Sequence, residues 1–316
     1  IGMVMMIISI ATGIGLQKKI QEKVAAFNGH VIISTYDDNQ SDVSITPIST
    51  DQDFYPKFNQ VEGIQHIQAV ATKAGIIRTH ASFEGITFKG VGADYQWKHI
   101  TEYLVEGRLP NFKQSISEEI IISQHIANRL NLKVGDKAFT YFLKEEGNPQ
   151  PYNRAFKIVG IYTSGIQEFD ATYVIGDIKQ IQRMNKWSSD QVGAFEIFLD
   201  DFSQINSKGK EIYENTFNYK DASQALDTQT IEEKYYSIFE WLKMFDINIQ
   251  IILIVMILVA TINMAVALLV LILERTQMIG ILKALGASNW TVRKIFLYNA
   301  LYLISRGLIF GNLIAI

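Results

Sequence analysis

The sequence predicts a membrane protein in which transmembrane α-helices flank a large extracytoplasmic α+β domain. Three observations lead to this prediction. Residues 247–273 contain no charged side chain, and roughly 20 apolar residues are enough for a helix to cross a bilayer. Apolar runs also open and close the chain, at residues 1–16 and 295–316. Residues 17–246 instead combine short apolar strands with polar turns, as a water-soluble domain does.

The composition argues against several functional classes. The chain has 316 residues and a formal net charge of -3, so it lacks the basic surplus of a nucleic-acid-binding protein. Cysteine is absent, which excludes disulfides, a thiolate nucleophile and a thiolate metal site. The sequence contains neither a P-loop nor a nucleophile elbow. We therefore expect no catalytic, cofactor-binding or metal-binding residues in this chain.

The histidines do not suggest a metal site either. They form no His-x-x-x-His or His-Glu-x-x-His pattern. We expect them to be scattered over the surface. They are His30, His66, His80, His99 and His125.

The first apolar run predicts the end of a transmembrane helix at residues 1–16. A signal-peptide core is the alternative, but no small-residue cleavage site follows it. Ser9 with Gly13 and Ala11 with Gly15 are small residues four apart, which would let another helix approach closely. The helical pattern continues to Asn28 and Gly29. Because apolar runs open and close the chain, we expect it to be a fragment of a longer protein.

The extracytoplasmic domain is predicted at residues 17–246, with helical stalks at its ends. Strands are expected at residues 31–33, 75–77, 119–122, 156–159 and 194–199. Helices are expected at residues 124–130, 177–184 and 204–217. A Pro-, Gly- and Asn-rich segment separates the strand candidates 138–143 and 155–162, which predicts a hairpin with its tip at residues 144–152.

A second stalk is predicted to lead back into the membrane. A helix is expected to start near Thr228 and to continue into transmembrane helix 2, at residues 247–273. Asn263 lies near the middle of this span, where it would bond a neighbouring helix or, alternatively, contact a substrate.

Residues 274–294 predict a short amphipathic helix and loop between two spans. Met278, Ile281, Leu282 and Leu285 recur on one helix face, and Gly286 suits the end of the helix. Arginine and lysine crowd this connection, which places it in the cytoplasm and the large domain outside. Residues 295–316 then predict part of transmembrane helix 3, interrupted by Arg306.

These residues resemble a known family. The segment 274–287, ERTQMIGILKALGA, is similar to a signature of the ABC-transporter permeases typified by lipoprotein-releasing (Lol-type), macrolide-efflux (MacB-type) and cell-division (FtsX-type) proteins. Met278 stands where the family often has an acidic residue. The segments 8–17, 106–110, 118–123, 127–136 and 156–161 resemble further landmarks of the family.

The resemblance implies four spans in the complete protein, with a MacB-like periplasmic domain between the first two. It implies a multi-pass protein of the bacterial inner membrane whose ATP and Mg²⁺ are bound by a separate ATPase subunit. The chain itself is then not an enzyme. The ATPase-coupling residues would be Arg275, Met278, Ile281, Leu282, Lys283, Leu285 and Gly286.

Among the branches, the long first helix and the hairpin position favour the Lol type. The expected function is to extract lipoproteins from the inner membrane toward a periplasmic carrier, beside a second permease copy or paralogue and membrane lipids. The alternatives are MacB-type efflux or mechanotransmission, and FtsX-type regulation of a periplasmic partner such as a cell-wall hydrolase.

The Lol reading also names candidate residues for cargo and carrier. The candidate substrate cavity comprises Met3, Met6, Ile10, Ile254, Leu258 and Asn263. The candidate carrier-binding hairpin comprises Asn148, Pro149, Pro151 and Tyr152. The tip of this hairpin is shorter than the hook of one Lol-type permease.

Overall fold

The computed structural model describes residues 2–38, 41–112, 115–143, 151–217 and 225–315. They form two compact units. The helical unit comprises Ile1–Ile20 and Ser237–Ile316, and the sheet unit comprises Gln21–Tyr236.

The helices and strands of the described residues are numbered in chain order. The helices are α1 (Gly2–Asn28), α2 (Lys98–Thr101), α3 (Gln124–Leu130), α4 (Gln167–Thr172), α5 (Ile178–Asn185), α6 (Ile205–Phe217), α7 (Ile231–Lys234), α8 (Tyr236–Glu274), α9 (Thr276–Ala284) and α10 (Asn289–Ala315). The strands are β1 (Val31–Thr35), β2 (Ile48–Ser49), β3 (Ile64–Arg78), β4 (Phe83–Val91), β5 (Leu104–Gly107), β6 (Glu119–Ser123), β7 (Lys137–Phe142), β8 (Tyr152–Tyr162), β9 (Tyr173–Asp177), β10 (Gln191–Val192), β11 (Ala194–Leu199) and β12 (Leu226–Thr230).

One helix of the helical unit has the length and composition of a membrane span. Within the described part of the chain, this is α8, a helix of 39 residues. The apolar runs predicted at the two ends of the chain fall within α1 and α10. That these two helices cross a membrane, and how many spans there are, stay predictions.

Inside the helical unit, α1 packs closely against α8. Gly13 is buried, and a Cβ atom built there would clash with Cδ1 of Ile249. One turn further, Nε2 of Gln17 donates to the Leu242 carbonyl at 3.2 Å and to Oδ1 of Asp246 at 2.8 Å. The predicted close approach therefore occurs at Gly13.

The sheet unit is built on a closed barrel. Strands β3, β4, β9, β6, β8 and β7 pair in that order, and β7 pairs with β3 again to complete the ring. The first half of β3 leaves the barrel and pairs with β11, which continues the sheet through β1 to β12. Strand β5 adds to β8 at the other edge.

Aromatic side chains fill the barrel. Phe88 of β4 stacks on Phe156 of β8 with ring centroids 5.0 Å apart, and Phe142 of β7 meets Phe88 edge-on at 5.7 Å. All three side chains are buried. Offset and edge-on ring pairs are the favoured aromatic geometries, so this cluster holds three strands of the barrel together.

Most of the predicted elements are confirmed. The five predicted strand segments lie within β1, β3, β6, β8 and β11, and the three predicted helices correspond to α3, α5 and α6. Ser123 caps α3 by accepting a hydrogen bond from the backbone of Ile126. The predicted hairpin forms from β7 and β8. Residues 144–150 of its tip, including Asn148 and Pro149, lie outside the described residues.

The predicted start of the second stalk is wrong. Thr228 lies in β12, where it pairs with Ile33 of β1. The helix begins only after Thr230, whose hydroxyl and the carboxylate of Glu233 form a capping box. It is interrupted again at Tyr235, whose φ of -107° and ψ of 44° separate α7 from α8. Strand pairing overrides the helical pattern here.

The expectation of scattered histidines is also wrong for three of them. His99 stacks on Phe198 with centroids 4.7 Å apart, and His30 and His66 meet the same ring at 5.8 Å and 6.4 Å. His30 Nδ1 accepts a hydrogen bond of 2.7 Å from the backbone of Leu199. Burial, followed by the charge of His99, lowers the pKa of His30 to about 4.

This environment predicts that acid destabilises the sheet unit. Between pH 6.5 and 4 the unfolded chain binds a proton at His30 and the folded chain does not, so stability is lost as the pH falls through this range. The loss by pH 4 should be about 3 kcal/mol. Denaturant unfolding of a fragment of residues 21–236 measures it.

His30→Gln should reduce this pH dependence, because the glutamine amide does not titrate. His125→Gln, at an exposed histidine, should leave the wild-type dependence unchanged. An equal pH dependence in all three proteins would contradict the assignment to His30.

Candidate coupling helix and stalk clamp

The junction between α8 and α9 is a single residue. Arg275 has a φ of -102° and a ψ of 19°, which ends α8 and allows α9 to start at once. Its amide still donates to the carbonyls of Leu271 and Ile272, at 3.3 Å and 3.2 Å. The predicted connection of a long apolar helix to a short one is therefore confirmed.

The end of α9 is fixed by a Schellman motif. Ala287 donates from its amide to the Leu282 carbonyl at 2.9 Å, and Gly286 donates to the Lys283 carbonyl at 3.0 Å. Gly286 has a φ of +87°, which a glycine adopts without strain. The side chain of Lys283 donates to Oδ1 of Asn289 at the start of α10. These bonds fix the turn between α9 and α10.

The apolar stripe of α9 is only partly covered. Met278 and Leu282 are half-buried, whereas Ile281 is 63 % and Leu285 is 80 % exposed. Large apolar side chains at such exposure are typical of a surface that contacts another molecule when they adjoin one another.

The candidate cavity residues differ in their exposure. Met6 is half-buried, while Ile10 and Asn263 are exposed, and Ile254 and Leu258 are 63 % and 57 % exposed. Met3 lies in α1, but its side chain is outside the described part of the chain. Their role in binding cargo stays a prediction.

Of the candidate hairpin residues, two are described. Pro151 precedes β8, and Tyr152 is its first residue, paired with Phe142 of β7. The guanidinium of Arg154 lies 5.9 Å from the Tyr152 ring centroid. These residues form the base of the hairpin, and a carrier-binding role for it stays a prediction.

A buried network in the sheet unit holds the end of α1. The ammonium group of Lys89 donates to Oε1 of Glu196 and to the backbone carbonyl of Phe27. Glu196 Oε2 accepts a second hydrogen bond, of 2.9 Å, from Nε2 of Gln68. Lys89 and Glu196 are both nearly inaccessible to solvent. Burial lowers the pKa of the Lys89 ammonium, and the Glu196 carboxylate opposes this effect.

The carbonyl of Phe27 belongs to the last turn of α1, where carbonyl groups have no partner within the helix. A cation placed there also interacts favourably with the helix dipole. Gly29 ends the helix with a φ of +68°, and a Cβ atom on it would lie 3.0 Å from Cβ of Glu196. The end of α1 thus packs directly against the Lys89–Glu196 ion pair.

A second set of bonds joins α1 to the residue before α8. The hydroxyl of Tyr235 donates to Oδ1 of Asn28 at 2.9 Å and lies 3.2 Å from the hydroxyl of Tyr173. Burial raises the pKa of both phenols, so both stay protonated. We call Asn28, Lys89, Tyr173, Glu196 and Tyr235 the stalk clamp.

No sequence pattern predicted the stalk clamp. Its only local signal was a charged residue in each of two strands, Lys89 in β4 and Glu196 in the otherwise apolar β11. Their pairing depends on β3 lying between β4 and β11, which the sequence pattern alone did not establish.

Two family descriptions match the chain. The MacB-like periplasmic core domain matches residues 1–212, and the FtsX-like permease C-terminal region matches residues 250–316. The first match covers more than half of the chain. The chain belongs to the FtsX/MacB/Lol family of ABC-transporter permeases.

Permeases of this family reside in the inner membrane and are not enzymes themselves, since the ATPase lies in a partner. The MacB-like match falls on α1 and most of the sheet unit, and the FtsX-like match falls on α8, α9 and α10.

Individual relatives are distant in sequence, but their alignments extend over the whole chain. The lipoprotein-releasing system transmembrane proteins LolE and LolC of Haemophilus influenzae are 20 % and 22 % identical to it. Each alignment covers 100 % of this chain, and 74 % of LolE or 75 % of LolC. The periplasmic region of MacB from Actinobacillus actinomycetemcomitans is 12 % identical over 66 % of this chain and 91 % of that one, with a TM-score of 0.40.

The stalk clamp predicts that replacing its lysine, Lys89, lowers the stability of the sheet unit far more than replacing a surface arginine does. Lys89→Met leaves the Glu196 carboxylate buried without its ion-pair partner, which should lower the free energy of unfolding of residues 21–236 by about 3–5 kcal/mol. Denaturant unfolding followed by circular dichroism measures this change.

Arg129→Met is the matched control, because Arg129 pairs with Glu84 at the surface, 61 % exposed. It should cost less than about 1 kcal/mol. Equal effects of the two replacements would show that the Lys89 pair contributes no more than a surface pair.

Proposed function

We propose that this chain is the permease subunit of a transporter that extracts lipoproteins from the inner membrane and passes them toward a periplasmic carrier. The observation that carries the proposal is the similarity to LolE and LolC, which extends from one end of the chain to the other. In this proposal the sheet unit is periplasmic, and a second permease copy or paralogue completes the transporter.

In this proposal α9 receives the ATPase. The exposed Ile281 and Leu285 would enter an apolar groove of the partner, which is a common way for an amphipathic helix to bind. Lys283 and Arg275 at its two ends favour the cytoplasmic side by the positive-inside tendency. ATP-driven movement of the partner would then act on α8 and α10 through the short turns that flank α9.

The stalk clamp would receive this movement in the sheet unit. Two clamp residues lie at the helix ends: Asn28 is the last residue of α1, and Tyr235 immediately precedes α8. A displacement of either helix would therefore act on β4 and β11, which carry Lys89 and Glu196. In this way ATP hydrolysis in the cytoplasm would change the conformation of the outer domain.

The cargo's acyl chains would contact the apolar faces of α1 and α8. Each buried methylene contributes about 0.8 kcal/mol, so a lipid-modified protein partitions strongly into an apolar site. The exposed Ile254 and Leu258 offer such a surface, and Met6 and Ile10 offer flexible and branched apolar side chains on α1.

Replacing an exposed residue of α9 tests the docking of the ATPase. Leu285→Asp should leave membrane insertion unchanged, because Leu285 is exposed, and should abolish co-purification of the ATPase, because a charge buried in an apolar groove is costly. Gln277→Asp adds the same charge beside the stripe and should retain the ATPase. Normal co-purification and stimulation of the ATPase by Leu285→Asp would contradict docking at α9.

Photo-crosslinking tests the cargo. Crosslinkers at Met6 and Leu258, in the permease reconstituted with its ATPase, should capture a lipoprotein when ATP is withheld and release it when ATP is added. A crosslinker at Tyr36, exposed in the sheet unit, should give no such adduct. Absence of any ATP-sensitive adduct with an active ATPase would contradict the proposal.

A MacB-type efflux function is the second candidate, and the match of the MacB-like core domain to residues 1–212 favours it. The same crosslinkers distinguish the two functions. Capture of a small amphiphilic compound in place of a lipoprotein would favour efflux.

A further inference from the structure

The sheet unit contains a cleft that the transport function does not use. Its volume is about 450 Å³, which is within the usual range of ligand pockets, roughly 300–1,000 Å³. It is lined by residues of α5, by Tyr55 and by the turn at Gly92. Val192 of β10 also lines the cleft.

Two cations on α5 line the cleft without partners. Lys179 and Arg183 are four residues apart and therefore lie on one face of the helix. Among the described residues, neither side chain has an ion-pair or hydrogen-bond partner. The indole N–H of Trp187, which also lines the cleft, likewise has no acceptor in the described part of the chain. Lys179, Arg183 and Trp187 thus offer three donor side chains to the cleft, of which two are charged.

Among the described residues, the one acidic residue that lines the cleft already accepts hydrogen bonds. Asp94 Oδ2 accepts hydrogen bonds from the backbone of Ala69 at 2.6 Å and from the hydroxyl of Tyr55 at 3.1 Å. These bonds fix the position of the carboxylate. A ligand that brings negative charge into the cleft would meet Lys179 and Arg183 as its free partners.

The chemistry of the walls favours a peptide over a lipid chain. The lining combines apolar residues, among them Ile116 and Ile178, with polar ones such as Thr50 and Ser189. A continuous hydrocarbon chain would bury such polar groups without partners, which is costly, whereas a peptide backbone can bond them. Tryptophan, tyrosine and arginine, which meet here, are also the residues that carry most binding energy in protein interfaces.

We propose that this cleft binds an acidic peptide segment of a partner protein, with its carboxylates on Lys179 and Arg183 and a neighbouring apolar side chain against Trp187. The proposal is independent of the cargo, since none of the cleft residues belongs to α1, α8 or α9. It gives the sheet unit a docking site for a second protein.

Fluorescence anisotropy on the full chain in a neutral detergent tests the proposal. The probes are the fluorescein-labelled hexapeptide Ser-Asp-Glu-Leu-Asp-Ser and its neutral counterpart Ser-Asn-Gln-Leu-Asn-Ser. The acidic peptide should bind saturably and more tightly than the neutral one, and its affinity should fall as salt is added. Lys179→Gln with Arg183→Gln should weaken it by about tenfold or more.

Lys133→Gln with Lys137→Gln is the matched control, because both lysines are exposed and outside the cleft. It removes the same charge and should leave binding unchanged. Trp187→Ala should weaken the binding of both peptides. Circular dichroism checks that each variant is folded.

Three results would overturn the proposal. The first is no saturable binding of the acidic peptide, or equal binding of the two peptides. The second is unchanged binding by the variant that lacks Lys179 and Arg183. The third is displacement of the peptide from the cleft by a short-chain phosphatidylglycerol that binds more tightly than the peptide, which would assign the cleft to an anionic lipid.

Discussion

The burial of the Lys89 ammonium group is the constraint on which the sheet unit depends. A charge in the protein interior is costly unless it is paired and hydrogen-bonded. Its acceptors come from β11, through Glu196, and from the end of α1, through the Phe27 carbonyl. Gln68 of β3 holds the other oxygen of Glu196. The network therefore forms only when three strands are in register and α1 is seated, which links the position of a helix end to the folding of the sheet.

In the helical unit, α9 and α8 expose apolar side chains, whereas the sheet unit buries a polar network. Bonds at Arg275 and Gly286 fix the path of the backbone, while Leu285 and Ile254 remain exposed. Exposed apolar side chains on fixed elements are suited to binding other molecules, which in the proposed function are the ATPase at α9 and lipid or cargo at α8. In the permease family the energy source lies in another subunit, and in the proposed function α9 receives the force and the stalk clamp transmits it.

Local signals were enough to predict many parts of this structure. The end of α1 at Gly29, the helix α3 and the end of α9 at Gly286 depend on neighbours within a few residues. The stalk clamp and the histidines around Phe198 depend on strand order, which local patterns do not contain. Thr228 was misassigned although the capping box of Thr230 and Glu233 was visible. The sequence pattern indicates no partner for Arg306, whose guanidinium lies 4.9 Å from the Tyr302 ring centroid one turn earlier in α10.

The central claim is that the stalk clamp couples ATP hydrolysis to work in the sheet unit. The most direct test is the number of lipoproteins released per ATP hydrolysed, in vesicles that contain the permease, its ATPase and an acceptor. Tyr235→Phe removes the bond to Asn28 and keeps the ring, whereas Tyr36→Phe changes an exposed tyrosine. The account predicts that Tyr235→Phe keeps ATP hydrolysis and lowers the ratio, and that Tyr36→Phe changes neither. An unchanged ratio in Tyr235→Phe would contradict it.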